Sequence, residues 1–200
     1  MRGLRPLAAL LAALALAGCA TPPAPVGADA RAVDPSRLEA WRASGRMALS
    51  AAGEGGSGSF VWEQRGETTR LDLRGPLGAG ALRVIAAPGA FTLTDGGGRR
   101  LDAEAAHAEL ESRLGADLPW DQMRHWMLGR AAPGEAATVE AGGGVGPRSI
   151  EQAGWRIGYE DFGSQDGLVL PRRFTATRGE VRVRVVVDDW RLGSSAAGEP

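Results

Sequence analysis

The side chains best suited to chemistry are scattered along this 200-residue chain. His107 and His125 stand 18 residues apart, and Cys19 is the single cysteine. A zinc site of the common kind needs four ligands drawn from His, Cys and acidic side chains, so these residues leave the set incomplete. We therefore predict no metal and no cofactor, and we assign both histidines to the surface or to helix packing.

Two pairs of neighbouring acids, Glu160-Asp161 and Asp188-Asp189, are candidates for general acid and base catalysis. Each pair lies where the sequence alternates as in a strand, and neighbouring side chains of a strand point to opposite faces. The two carboxylates of a pair then cannot serve one substrate. We interpret both pairs as solvated strand ends, and the residues give no positive sign of an enzyme.

The segment Gly53-Glu54-Gly55-Gly56-Ser57-Gly58 has the spacing of a dinucleotide-binding loop. Such a loop needs a helix directly after it, whereas Phe60-Val61-Trp62 is typical of a strand. The chain has no lysine among its 23 basic residues and a net charge of −1, which disfavours Walker-type phosphate sites and nucleic-acid binding. We interpret residues 53–58 as a flexible hairpin loop.

Cys19 is the residue whose surroundings do predict chemistry. Arg2 and Arg5 precede an apolar run of 11 residues that leads into Leu16-Ala17-Gly18-Cys19. This is the layout of a secretory signal peptide with a bacterial lipobox, and the run is too short for a bilayer span of about 20 residues. We predict that residues 1–18 are removed and that acylated Cys19 becomes a membrane anchor.

Composition divides the rest of the chain into three parts. Residues 19–34 are rich in proline and alanine and predict an acylated tether. Residues 193–200 are small and polar and predict a flexible tail. Residues 35–192 remain as one folded domain, because a chain of this length with 44% hydrophobic residues suits a single core.

Apolar and polar side chains alternate through much of the folded domain, most clearly in residues 181–187, where valines occupy every second position and Arg182 and Arg184 lie on the other face. The same period recurs at Phe60 and Trp62, Leu71 and Leu73, Leu82 and Val84, Phe91 and Leu93, and Trp155, Ile157 and Tyr159. A strand with one wet face indicates an antiparallel sheet rather than a helix-covered parallel one. We predict a mainly β (α+β) fold, in which an antiparallel sheet curls into an open barrel around one interior.

Two helices are predicted to interrupt this sheet, one from Asp102 to Leu114, before Gly115, and one from Pro119 to Gly129. The first has a weak apolar stripe: Ala103, Ala106, Leu110 and Leu114. The second has a heavier one: Trp120, Met123, Trp126 and Met127. Tryptophan and methionine suit either a filled core or a pocket for flexible apolar ligands, and both interpretations stay open.

The connection Gly75-Pro76-Leu77-Gly78-Ala79-Gly80 has leucine at its centre, where turns normally have Asp, Asn or Ser. The Leu77 side chain can fold back to fill the core or project into lipid or an acyl chain. The connection alone leaves both alternatives open.

Several short motifs occur in an order that resembles the LolB family. They are Gly45-Arg46-Met47-Ala48, Phe60-Val61-Trp62, Gly75-Pro76-Leu77-Gly78, Leu118-Pro119, Arg124-His125-Trp126-Met127-Leu128-Gly129, Gly154-Trp155 and Asp189-Trp190. With the Cys19 lipobox they cover nearly all of the chain after the leader. LolB is the outer-membrane receptor that takes lipoproteins from the periplasmic carrier LolA and inserts them into the outer membrane.

The resemblance implies an unclosed antiparallel β-barrel, or half-barrel, with helices covering the opening and an apolar cavity for acyl chains. It assigns five side chains to that cavity: Trp62, Trp126, Trp155, Phe60 and Met123. It also assigns a membrane insertion loop: Leu77 with Pro76 and Gly78. The resemblance therefore favours a ligand pocket over a filled core beneath the second helix, and a projecting Leu77 over one that folds back.

The resemblance further implies the partners and the location. The partners are a LolA-like carrier, lipoprotein clients and the outer membrane, in which acylated Cys19 holds a monomer at the periplasmic face. Ala20 follows the anchor in place of the Asp that retains many lipoproteins in the inner membrane. Two alternatives remain: an envelope lipoprotein that binds another apolar ligand or lipid, and a structural envelope component with a filled interior.

Overall fold

The computed structural model describes residues 38–51, 54–75, 80–114, 118–144 and 146–193. Cys19 and the insertion-loop residues Pro76, Leu77 and Gly78 lie outside these ranges, as does nearly all of the expected tether and tail. The description that follows concerns the folded domain.

Eleven antiparallel strands form one sheet. They are β1 (Ala40–Ala51), β2 (Glu54–Arg65), β3 (Thr68–Arg74), β4 (Leu82–Ala87), β5 (Ala90–Asp95), β6 (Arg100–Leu101), β7 (Ala137–Ala141), β8 (Pro147–Gln152), β9 (Trp155–Gln165), β10 (Leu168–Arg178) and β11 (Val181–Leu192). Their spatial order is β6-β5-β4-β3-β2-β1-β11-β10-β9-β8-β7. Because β6 and β7 stand at opposite ends of this order, the sheet is unclosed, which confirms the predicted architecture.

The two-residue period of the strands separates the core from the solvent. In β11 the valines at positions 181, 183, 185 and 187 are buried, whereas Arg182 and Arg184 are exposed. Other fully buried members of the core are Phe60, Trp62, Leu71, Val84, Leu93, Ile150, Ile157 and Leu170. Each such side chain stabilises the fold by about 1.5–3 kcal/mol through removal of apolar surface from water.

Irregular pairing bends the two long strands β1 and β10. The register of β1 against β11 shifts between Ser44 and Gly45, and that of β10 against β9 shifts between Pro171 and Phe174. An extra residue in one strand of a pair increases its local twist and bends it. These irregularities allow long strands to curl around a single interior.

Residues 54–58 belong to strand β2, so the sequence-based prediction of a hairpin loop there is wrong. β2 starts at Glu54 and pairs with β1 along its whole length, with Leu49 opposite Gly56 and Met47 opposite Gly58. Glycine has little preference of its own for a strand. The partner strand decides the conformation here, and that partner is not visible in the local sequence.

Two helices pack on the concave side of the sheet: α1 (Ala103–Leu114) and α2 (Trp120–Trp126). Ala106 and Leu110 of α1 are buried, but Ala103 is exposed and lies outside the stripe that the sequence predicts. α2 ends at Trp126, earlier than predicted, and a turn continues to Gly129, whose φ of 73° is left-handed. Neither of these helices is long and apolar enough to cross a bilayer.

The two ends of the folded domain meet at the centre of the sheet, where β1 lies beside β11. The Gly193 amide donates a hydrogen bond of 3.1 Å to the Ala40 carbonyl oxygen. Nearby, the Trp41 ring lies 5.4 Å from the Trp190 ring and 5.9 Å from the Trp62 ring, measured between centroids. This aromatic cluster closes one end of the core.

Candidate functional site

A cavity of about 720 Å³ lies between the concave face of the sheet and the two helices. Its apolar lining consists of Met47, Leu49, Ala51, Leu71, Leu73, Leu82, Leu110, Leu118, Trp120, Met123, Val181 and Val183. The strand members of this set recur at every second position, which is why they share the inner face. The cavity therefore uses the same side of the sheet as the core, at the end opposite the Trp41 cluster.

One wall of the cavity consists largely of backbone. Residues 55–59 of β2 line it, and three of the five are glycines. Because glycine has no side chain, this part of the sheet leaves space where other strands place apolar groups. Residues 55–58, which belong to the segment with the spacing of a dinucleotide-binding loop, are thus part of the cavity wall.

Exposed polar groups also line the cavity. Arg74, Ser112 and Glu180 are exposed and line it, together with Ser57 and Ser59. An apolar interior with a few exposed polar groups suits a ligand that has a long apolar part and a polar head. Such a ligand can bury its chain and leave its head in water.

A second, smaller pocket of about 20 Å³ adjoins the large cavity. Met47, Leu118, Met123 and Val183 line both spaces. The small pocket also contacts Pro119, Trp126, Met127, Trp155, Phe174, Ala176 and Val185. It extends the apolar interior beneath α2 but is itself nearly filled.

The five side chains assigned to the acyl-chain cavity occupy three different environments. Met123 lines both spaces, whereas Trp126 and Trp155 line only the small pocket, with their ring centroids 6.2 Å apart. Phe60 and Trp62 are fully buried in the core and line neither space. Of the expected insertion loop, only the flanking Gly75 and Gly80 are described, and both line the large cavity.

Hydrogen bonds from neighbouring strands fix the end of α2. Gln152 of β8 accepts from the Trp126 indole at 3.0 Å and from the Ala132 amide at 2.8 Å, and its own amide donates to the Ala132 carbonyl at 2.8 Å. Tyr159 of β9 donates to the Trp126 carbonyl oxygen at 2.8 Å. Burial raises the pKa of Tyr159 far above its ordinary value, so this hydroxyl remains a donor.

His125 of α2 is held in its neutral form. Burial lowers its pKa from 6.5 to about 4, and the neighbouring charges of Arg130 and Arg124 act in the same direction. Arg124 donates to the His125 Nε2 atom at 3.3 Å, which is possible only while that nitrogen is unprotonated. His107 instead stacks on Phe91 with a centroid separation of 4.3 Å.

Acidic and metal-ligating side chains do not assemble into a reactive centre within the described ranges. Glu160 forms an exposed ion pair with Arg184 at 3.4 Å, and Asp188 forms one with Arg46 at 3.2 Å. Across the described residues, no three His, Cys, Asp or Glu side chains are close enough together to hold a metal ion.

Several cavity residues are not identified as such by the sequence. Leu71, Leu73 and Leu82 are predicted as strand residues, but alternation cannot distinguish a side chain that faces a void from one that faces a neighbour. Met47 and Leu49 of β1 show the same two-residue period, which is the signal in the sequence that identifies them as inward-facing. Trp120 lies three residues before Met123 on α2, so helical spacing places both on the cavity side.

Comparisons with known proteins agree with this architecture. The family described as "Outer membrane lipoprotein LolB" matches residues 39–190. A protein named outer-membrane lipoprotein LolB from Alkalilimnicola ehrlichii is 43% identical over 198 residues, covering 96% of this chain and 99% of its own length. A protein of the same name from Halorhodospira halophila is 41% identical over 191 residues, covering 93% of this chain and 94% of its own length.

Among solved structures, a LolA superfamily protein from Nitrosomonas europaea has a similar fold, with a TM-score of 0.53. The two share 10% identity, and the match covers 79% of this chain and 88% of that chain. At this identity the similarity concerns the fold alone. The family match and the two close relatives decide the assignment: this chain belongs to the LolB family of outer membrane lipoproteins.

Proposed function

We propose that this protein accepts lipoproteins from a LolA-like periplasmic carrier and inserts them into the outer membrane without energy input. The observation that carries the proposal is the cavity of about 720 Å³, whose lining is mainly apolar and includes a few exposed polar residues. A lipoprotein client has the matching chemistry, because its acyl chains are apolar and its polypeptide is polar. A purely structural envelope component predicts a filled interior, which this cavity contradicts.

The proposed transfer makes and breaks no covalent bond. Acyl chains in water cost about 25 cal/mol for each Å² of exposed apolar surface, so a client must pass directly from one apolar cavity to another. A receptor that binds the chains more tightly than the carrier makes this step downhill. Neither a nucleotide nor a catalytic residue is required.

Acylated Cys19 is the proposed anchor that holds the protein, as a monomer, at the periplasmic face of the outer membrane. Several acyl chains on one residue give nearly permanent anchoring, at about 0.8 kcal/mol for each buried methylene. The anchor keeps the receptor beside the membrane that receives the client. A client released from the cavity then has a short path into the leaflet.

A matched pair of variants on β4 tests whether the cavity receives the client. Leu82 lines the cavity, whereas Ile85 of the same strand points outwards and is 38% exposed. Leu82→Gln places an amide in the apolar wall, and we expect it to reduce uptake of an acylated lipoprotein from the purified carrier about tenfold. Ile85→Gln is the control and should transfer normally.

Uptake by the Leu82→Gln protein at the level of the Ile85→Gln protein would contradict binding in this cavity. Circular dichroism of both variants separates loss of uptake from loss of fold. Co-purification of free lipid without any uptake from the carrier would instead support a receptor for another apolar ligand.

Leu77 is the proposed membrane-insertion residue, with Pro76 and Gly78 beside it. Leu77→Glu replaces an apolar side chain with a charged one that lipid does not accept. We expect this variant to take lipoprotein from the carrier as the parent protein does, but to lose insertion into liposomes. Normal insertion by Leu77→Glu would refute the assigned role, and flotation of the client with liposomes measures it.

A further inference from the structure

The large cavity and the small pocket lie end to end along strand β11. Val181 lines only the large cavity, Val183 lines both spaces, and Val185 lines only the small pocket. These valines are successive inward-facing residues of one strand, so each step between them covers about 6–7 Å. A chain that follows β11 through the large cavity therefore points at the small pocket beneath α2.

Two methionines lie at the junction of the two spaces. Met47 projects from β1 and Met123 from α2, and each lines both spaces. Met47 pairs with Val185 of β11. Leu49, two residues further along β1, pairs with Val183 and lines only the large cavity. The methionines thus lie between the large cavity and the small pocket, one on the sheet and one on the helix.

The side chains of these methionines are suited to movement. Methionine is unbranched, has three rotatable bonds and fills gaps of irregular shape. Met47 and Met123 are both half-buried and border the open volume of about 720 Å³, which gives them space into which to rotate. Leu118 and Val183 also line both spaces, but they are branched and have fewer rotatable bonds.

We infer that Met47 and Met123 form a movable partition, and that the end of a long acyl chain displaces them and enters the small pocket. This inference rests on the proposed function, because it concerns the acyl chain of the client. In the small pocket the chain end contacts Trp126, Trp155 and Phe174, none of which lines the large cavity. A short chain ends within the large cavity and leaves the partition in place.

The partition makes the two methionines determinants of the preference for chain length. Each methylene that leaves water for an apolar pocket strengthens binding about fourfold. When the partition moves, the methylenes at the end of a long chain gain this burial in the small pocket. When it does not move, the same methylenes have only the large cavity in which to lie.

Methionine methyl NMR tests entry into the small pocket without altering it. Met127 is fully buried and lines only the small pocket, so its methyl group reports on that space. The parent protein, labelled with ¹³C at its methionine methyl groups, is titrated with one peptide that carries either a decanoyl or a palmitoyl chain. We expect both peptides to shift the Met47 and Met123 signals, and only the palmitoyl peptide to shift the Met127 signal.

The Met127 signal is assigned by its loss in a Met127→Leu protein. A Met127 signal that the palmitoyl peptide leaves unchanged would overturn the inference. A Met127 signal that the decanoyl peptide shifts equally would overturn it as well, because the partition would then not respond to chain length.

A variant that narrows the small pocket tests the effect on affinity. Ala176 of β10 lines only the small pocket, so Ala176→Val leaves the lining of the large cavity unchanged. We expect it to weaken binding of the palmitoyl peptide at least tenfold and binding of the decanoyl peptide less than twofold. Ala48→Val is the matched control, because Ala48 lies between Met47 and Leu49 on β1 and points to the outer face. It should bind both peptides as the parent protein does.

Equal weakening of both peptides by Ala176→Val, or unchanged binding of the palmitoyl peptide, would refute the partition. Circular dichroism checks the fold of both variants, and the NMR titration of the parent protein decides the question if Ala176→Val does not fold. If the parent protein binds neither peptide, the proposed function itself fails. Binding of both peptides with no change at Met127 refutes the partition alone.

Discussion

His125 makes the stability of the folded domain depend on pH, because its side chain in helix α2 titrates differently in the folded and unfolded states. Its ring is partly buried between Arg124 and Arg130, and its pKa falls to about 4. In the unfolded chain the pKa of His125 has its ordinary value of 6.5. Protonation below pH 6.5 therefore favours the unfolded state.

The pH dependence of stability tests this environment. The contribution of His125 to the free energy of unfolding should be constant above pH 6.5 and fall as the pH drops towards 4. We expect a loss of about 1–2 kcal/mol, less than the full pKa difference implies because the partly exposed ring is screened by solvent. Urea unfolding at pH 7 and pH 5 measures it.

His125→Gln is the comparison protein for this experiment, since glutamine does not titrate. Carboxylates that titrate near pH 4 are common to both proteins and cancel in the difference between them. The same loss of stability in His125→Gln would show that other groups cause it.

The helices α1 and α2 are held to the sheet in different ways. α2 buries Trp120 and Trp126, and Gln152 and Tyr159 bind its final residue. α1 buries Ala106 and Leu110 and has the stacking of His107 on Phe91 at its outer side. Because the buried side chains described in α1 are smaller than those described in α2, we expect local opening of α1 to require less free energy.

Hydrogen exchange measures this difference between the helices. We expect amides of α1 to exchange at least tenfold faster than the Met127 amide, which donates to the Met123 carbonyl oxygen at 2.9 Å. Leu110 and Ser112 line the cavity, so opening of α1 would widen it. Equal protection of α1 and Met127 would mean that both helices open only when the whole domain unfolds.

The local sequence predicts only the second half of strand β2. The alternation of Phe60 and Trp62 identifies the second half of the strand. The glycine-rich first half has no alternation and is a strand because residues 46–51 of β1 pair with it. Which strand pairs with residues 54–58 depends on the tertiary structure, and the residues themselves do not indicate it.

At the scale of the whole molecule, alternation and family resemblance together predict the unclosed antiparallel sheet. They do not predict which inward residues line the void. Phe60 and Leu71 are both inward and buried, yet only Leu71 borders the large cavity. The difference depends on how far the helices reach over the sheet, which is a matter of three-dimensional packing.

The length of β1 separates the start of the folded domain from the cavity. The folded domain joins its N-terminal segment at Ala40, whereas Leu49 and Ala51 at the far end of this 12-residue strand line the cavity. Twelve strand residues extend about 40 Å. Residues 20–37 between the proposed anchor and the domain can span at most about 60 Å. At full extension this segment is therefore longer than the strand that separates Ala40 from the cavity wall at Leu49 and Ala51.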